Sequence, residues 1–225
     1  MNVLAIETAT AACALGLRTS EGVEFAWVVD DDRHHTETLT VSITRLLAEA
    51  NVAVRDLQRI VVDRGPGLFT GLRVGLATAL GLSEAVGCAL VGVTSLELLA
   101  TGAHEVGVRG TLVCAVDARR GEVFTQTFAL EDGVLALSQA AVALPRDVVI
   151  EWATNGAPVT FTGDGVERYR RDFAGVPHGT LETQLVPSVV AALKIGLTRE
   201  SVAHVVPMYL READAVANFS TRQRP

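Results

Sequence analysis

Apolar positions along this chain alternate between two periods. Val3–Glu7 is a short apolar run that ends in Glu7-Thr8-Ala9-Thr10, a turn with hydroxyls. Cys13–Leu17 and Val23–Val29 follow, separated by Ser20-Glu21-Gly22. In the second of these, Val23, Phe25, Trp27 and Val29 alternate with Glu24, Ala26 and Val28, which predicts a strand with one strongly apolar face. Three consecutive strands with tight turns predict an antiparallel meander. After a polar loop at Asp30–His35, the residues Leu39, Ile43, Leu46, Leu47 and Ala50 recur at the spacing of an amphipathic helix. Arg59–Asp63 reads as a buried strand, Gly65-Pro66-Gly67 as a loop and Thr70 to about Val86 as a helix. Ala89–Val93 reads as a strand and Ser95–Thr101 as a helix. A meander followed by strand, helix, strand and helix predicts an α/β layer with a mixed sheet.

Gly102–Gly110, rich in glycine and polar residues, marks a boundary and predicts lobes over 1–105 and 106–225. The second part restarts with strands at Leu112–Val116 and Glu122–Leu130 around the turn Asp117-Ala118-Arg119-Arg120-Gly121, with Val134–Ala140 as a possible third. Val159–Thr162 leads into Gly163-Asp164-Gly165 and a helix from Val166, and Pro187 to about Gly196 reads as a further helix with Pro in its first turn. Element order thus repeats without a visible sequence repeat, which suggests duplication. The polar tail Val216–Pro225 reads as frayed.

Composition narrows the function classes. With 225 residues, 49% apolar and 20% charged, the chain can bury a real core and is not a disordered protein. Aromatics make up 5%, too few for a base-stacking surface, and a net charge of −7 disfavours solo binding to nucleic acid or anionic membranes. The sole lysine, Lys194, rules out a Walker lysine and restricts Schiff-base chemistry to that one residue. Cys13, Cys88 and Cys114 form no CxxC pair and read as reduced, buried thiols of a cytoplasmic protein. The start has no basic leader region, and Val74–Leu96, the most membrane-like stretch, is broken by Glu84 and by four glycines.

The densest motif is Gly65-Pro66-Gly67-Leu68-Phe69-Thr70-Gly71-Leu72-Arg73-Val74-Gly75. Glycine loops before helices can cradle phosphate, but the third glycine falls one place late for a dinucleotide fingerprint and no P-loop lysine is present. Within the following helix, Gly71, Gly75, Ala79, Ser83 and Gly87 are spaced by four, beside a row of Leu72, Leu76 and Leu80. Two readings stay open for this small-residue face: packing on the protein's own sheet, or close approach of a partner helix. Gly81-Leu82-Ser83-Glu84-Ala85 mimics a nucleophile elbow, but Ser83 lies inside the helix rather than after a strand. His34, His35, His104, His178 and His204 include no i, i+4 pair, so His34-His35 with Glu37 reads as a solvated loop, as does Asp30–Asp32, and no metal site is expected. Glu7, Asp117 and Asp164 each end a strand at a turn.

Taken together, Ile6-Glu7-Thr8-Ala9-Thr10, the Gly65–Gly75 run, Asp117-Ala118-Arg119-Arg120-Gly121-Glu122-Val123-Phe124 and Pro207-Met208-Tyr209-Leu210-Arg211 resemble the TsaB (YeaZ) family over almost the whole chain. The resemblance implies two related lobes of the actin-like ATPase/sugar kinase, or ribonuclease H-like, fold. It implies a non-catalytic subunit in making threonylcarbamoyladenosine beside the anticodon of tRNAs that read codons starting with A. Such a subunit pairs with the catalytic TsaD and the ATPase TsaE, carries no cofactor of its own and meets tRNA only indirectly. ATP and metal then belong to the partner subunits, and the lone chain is able to pair with itself. Partner contacts carry over to Gly71, Leu72, Val74, Gly75, Leu76 and Ala79, and to Leu39 and Ile43. Glu7-Thr8, Asp117, Gly163 and Gly165 become remnants of nucleotide loops. Leu68 stands where many members have a small polar residue. The other readings are an independent ATPase or phosphotransferase of the same fold, drawing on Glu7, Asp117 and Gly163-Asp164-Gly165, and a metallopeptidase requiring zinc.

Overall fold

The computed structural model describes residues 1–29, 35–182 and 186–211. The readings made for Asp30–Asp32, for His34 and for the tail after Val216 lie outside these residues.

The meander forms as its alternation dictates. β1 (Val3–Glu7), β2 (Cys13–Arg18) and β3 (Glu24–Val29) pair antiparallel, and β4 (Arg59–Asp63) and β5 (Ala89–Val93) add in parallel on the other side of β1. The first sheet therefore runs β3-β2-β1-β4-β5. α1 (His35–Glu49) and α2 (Phe69–Val86) cover one face, where Leu39, Ile43, Leu46 and Ala79 meet Leu4, Ile6, Ile60 and Val62.

The second sheet is built from β6 (Gly110–Arg119), β7 (Glu122–Leu130), β8 (Val134–Ala136), β10 (Val159–Thr162) and β11 (Gly179–Leu181), in the order β11-β10-β6-β7-β8, with β9 (Ala141–Ala143) paired to β7. β6 and β7 are antiparallel while β6, β10 and β11 are parallel. Reading β6, β7, β8, β10 and β11 as counterparts of β1 to β5 reproduces the first sheet's order strand for strand. The duplication suspected from element order is thus present in the topology, and it is that of the actin-like ATPase/sugar kinase fold. α4 (Pro145–Asn155), α5 (Asp164–Arg168) and α6 (Arg170–Phe173) lie on the outer face, where Val148, Trp152, Val166 and Phe173 pack on Val113 and Phe161.

Two helices occupy the space between the sheets. α3 (Ser95–Glu105) sends Leu98 to the first sheet and Leu96, Leu99, Ala100 and Ala103 to the second. α7 (Val189–Thr198) buries Val189, Ala191, Ala192 and Leu193 against Val3, Ala5, Val61 and Val91 of the first sheet. The change of sheet falls between Glu105 and Gly110, yet α7 crosses back over it, so the cover of the N-terminal sheet is partly C-terminal. α7 begins after Ser188, whose hydroxyl accepts from the Ala191 N–H at 3.1 Å; this places Pro187 before the cap rather than in the first turn. The helix read from Val166 divides into the short α5 and α6.

Candidate functional site

The site begins at the ends of β1 and β4, adjacent parallel strands in which Ile6 pairs with Val62. The next residues are Glu7 and Asp63, 0% and 1% exposed. Glu7 Oε1 accepts from the backbone N–H of Ala9 at 2.8 Å and of Thr10 at 3.1 Å. A phosphate loop would turn these N–H groups toward a ligand, but here the chain's own carboxylate takes them. Asp63 Oδ1 accepts from the Gly65 N–H at 2.8 Å and lies 3.0 Å from Ser95 Oγ. Burial and then the neighbouring Asp63 raise the Glu7 carboxyl well above its usual range, and burial pushes Asp63 up to about 7.

The start of α2 is sealed in the same way. Its N-cap, Leu68, donates its N–H to the Ala9 carbonyl at 2.6 Å, and Thr8 Oγ1 donates to the Gly71 carbonyl at 2.8 Å. A Cβ on Gly67 would collide with the Ala9 carbonyl, one on Gly71 with the Thr8 carbonyl, and one on Gly75 with Thr8 Oγ1. Gly67, Gly71 and Gly75 are therefore required by close approach of the β1–β2 turn, while Gly65, at a φ of +95°, lies against Leu72 and the Met208 carbonyl. The Leu68 N–H at the start of α2 is thus given to the Ala9 carbonyl of that turn.

This corrects the small-residue face. Gly71, Leu72, Gly75 and Ala79, with Leu39 and Ile43 on α1, are buried in the chain's own core, while Val74 and Leu76 are half-buried. Of the two open readings for the glycine row, packing on the protein's own sheet is the one observed. The outward face of α2 carries Arg73, Ala77, Gly81 and Glu84 instead. Between it and α1 runs a groove of about 540 Å³ that includes Ile43, Thr44, Leu47, Ala77, Thr78 and Gly81. Ser83 caps the far end of α2 by donating to the Cys88 carbonyl at 2.7 Å, a structural task.

The equivalent turn in the second lobe is wetter. Asp117 accepts the Arg119 N–H at 2.9 Å and is flanked by Arg119 Nη1 at 3.1 Å and Arg168 Nη1 at 3.6 Å. Asp164 Oδ1 accepts the Asp117 N–H at 2.9 Å, and burial raises its carboxyl above the usual value. Gly163 and Gly165 lie too close to the Ala115 carbonyl to carry a Cβ, so they too serve packing. Among the described residues no group of three or more His, Cys, Asp or Glu side chains could hold a metal ion. No helix there is long and apolar enough to cross a membrane. Cys13 and Cys114 are buried and Cys88 partly so; all three are free, and burial pushes the Cys13 thiol up to about 12.

The closing motif lies across the cleft between the lobes. Met208 donates its N–H to the Arg64 carbonyl at 2.7 Å, and Arg73 Nε donates to the Tyr209 hydroxyl at 3.2 Å beside a Phe69–Tyr209 ring contact at 5.1 Å. Arg211 donates to Glu122 at 2.6 Å and to the Ala118 carbonyl at 2.8 Å. The cavity left beside this strap is about 120 Å³. Sequence reasoning missed Asp63 altogether; its signal was the lone acid closing an otherwise buried strand.

Two lobes of like topology, joined by α3 and α7, define the actin-like ATPase/sugar kinase fold. A family model described as "TsaD: tRNA N6-adenosine threonylcarbamoyltransferase" matches residues 30–215. The chain is 36% identical to an uncharacterized protein of Mycobacterium tuberculosis over 219 residues, 95% of this chain and 93% of that one. It is 28% identical to the tRNA threonylcarbamoyladenosine biosynthesis protein TsaB of Bacillus subtilis over the full length of both. The solved structure of YeaZ from Pseudomonas aeruginosa superposes with a TM-score of 0.78 at 27% identity, covering 93% of this chain and 99% of that one. The chain belongs to the TsaB (YeaZ) family of TsaD-like proteins.

Proposed function

We propose that this chain serves tRNA threonylcarbamoyladenosine biosynthesis as a non-catalytic subunit that docks a TsaD-type catalytic partner on its α1–α2 face. The observation that supports this reading is the apolar groove between α1 and α2, whose walls include Ala77 and Gly81, where small side chains let a partner helix come close. The self-filled turn at Glu7 favours a supporting role over an independent ATPase, because its phosphate-binding N–H groups are already spent. In this reading ATP and metal reside on the TsaD- and TsaE-type partners, the partner holds the tRNA, the complex works in the cytoplasm, and the lone chain pairs with itself through the same groove.

The test is co-elution of the purified chain with its cognate TsaD-type protein on a sizing column. A Cβ at Gly81 meets nothing within 4 Å, so Gly81→Leu fills the groove without straining the fold. The expected outcome is loss of co-elution at an unchanged melting temperature; undiminished pairing would refute the assignment of the face. Calorimetry of the isolated chain with ATP and Mg²⁺ addresses the ATPase reading, and tight binding with turnover would overturn the non-catalytic role.

A further inference from the structure

The closed turn of the first lobe contains more acceptors than donors. Glu7 and Asp63 follow a paired position of two neighbouring parallel strands, which brings their backbones within about 5 Å. Both side chains are sealed from water. Around them the firm donors are the N–H groups of Ala9, Thr10 and Gly65. Thr10 Oγ1 reaches the Glu7 oxygens only at 3.4 Å and lies equally far from the Ala12 carbonyl. Ser95 Oγ lies 3.0 Å from Asp63 Oδ1 and 2.9 Å from the Pro66 carbonyl, and its single proton serves one of them. Among the described residues, Asp63 Oδ2 has no donor.

Two fully ionised carboxylates in this setting would leave a buried anion unsatisfied beside another of the same sign. The surrounding charges do not cancel it. Arg64, next to Asp63, is the cation that faces it, Glu97 on α3 opposes that help and is itself paired with Arg199, and Cys13 on β2 is a buried thiol.

We propose that Glu7 and Asp63 form a proton-binding site, holding one shared proton and one net negative charge, with the proton supplying the donor that Asp63 Oδ2 lacks. The site is a structural lock: the same turn positions the start of α2 through Thr8 and Leu68 and the start of α3 through Ser95. Loss of the shared proton puts a second charge in the core and loosens the seating of both helices.

The experiment is thermal unfolding of the whole chain across about pH 5 to about pH 8, for the native protein, Glu7→Gln and Asp63→Asn. Each amide keeps a carbonyl oxygen for the existing N–H donors and adds an N–H that the partner carboxylate can accept. The native midpoint is expected to fall as pH rises, and either variant is expected to flatten that fall and melt at least about 4 °C higher at the alkaline end. Equal slopes in all three proteins, or variants that melt lower at every pH, would overturn the site. If either variant fails to fold, infrared spectroscopy of the native chain decides: a buried protonated carboxyl band at neutral pH, lost on raising the pH, supports the shared proton, and its absence refutes it. A native midpoint that recovers at alkaline pH on adding Mg²⁺ or K⁺ would also refute it, since the pair would then bind a cation.

Discussion

The two lobes present the same strand-end turn in different electrostatic settings. In the first, Glu7 and Asp63 are buried, the help that Arg64 gives Asp63 is outweighed by burial, and both carboxyls hold their protons well above the ordinary range. In the second, burial also raises the Asp164 carboxyl, but Asp117, 6% exposed, lies under Arg119 and Arg168, whose side chains are about half exposed. Topology is shared; the dielectric is not. Where the turn is dry, the inexpensive neutraliser is a proton, and where it opens to solvent, guanidinium groups do the same task. A duplicated fold therefore fixes where an acid sits without fixing its charge.

The strongest way to break the first turn is to wedge it open. Gly75→Leu would drive a side chain into Thr8 and Ile6 and is expected to cost at least about 3 kcal/mol, leaving little folded protein by circular dichroism. The result separates this inward glycine from Gly81, where the same substitution should be silent in stability. A smaller effect follows from pH. Both first-lobe carboxyls bind protons more tightly in the folded chain than in the unfolded one, so stability is greatest near the unfolded value of about 4 and declines as pH rises through about 7. Glu7→Gln should remove part of that decline in urea titrations, and a rising profile would contradict the proton-based account. Arg211→Ala unties the strap from the second lobe and should cost about 1 kcal/mol, read from the same titrations. The smallest effect belongs to the wet turn: Asp117→Asn should cost no more than about 1 kcal/mol at low salt and less at high salt, since exposed guanidinium pairs are screened. A salt-independent loss there would mean that the two turns resemble each other more than the geometry indicates.

Much of this was readable from residue order. Arg59–Asp63 and Ala89–Val93 alternate too little for a half-exposed strand and form parallel strands of the first sheet, β4 inside it and β5 at its edge. The β1–β3 meander followed from the polar turns alone. α4 was passed over although Pro145 stands at its first position and Gly156 at its left-handed cap, both readable signals. β11, three residues long, has no pattern to read. The small-residue row of α2 was visible, but its direction was not, because nothing local to residues 71–79 says that the β1–β2 turn passes beneath them. The pairing of Glu7 with Asp63 was hidden for the same reason: their positions become neighbours only once β4 is known to lie beside β1, and 56 residues separate the two acids. Resemblance supplied the family, while the inward glycines and the buried acids required coordinates.

The position of α7 sets the order in which this molecule can be completed. The strands that it shields, β1 and β4, leave a ribosome before the second lobe does, and apart from Leu98 of α3 their cover on this side begins at Val189. Throughout synthesis of the second lobe, that side of the first sheet has Leu98 of α3 against it but lacks the α7 residues that bury Val3, Ala5 and Val61. Such long-range closure slows maturation and leaves a nascent chain prone to sticking. A truncation before α7 removes more than one helix: it leaves Val3, Ala5, Val61 and Val91 of the first sheet without their main cover.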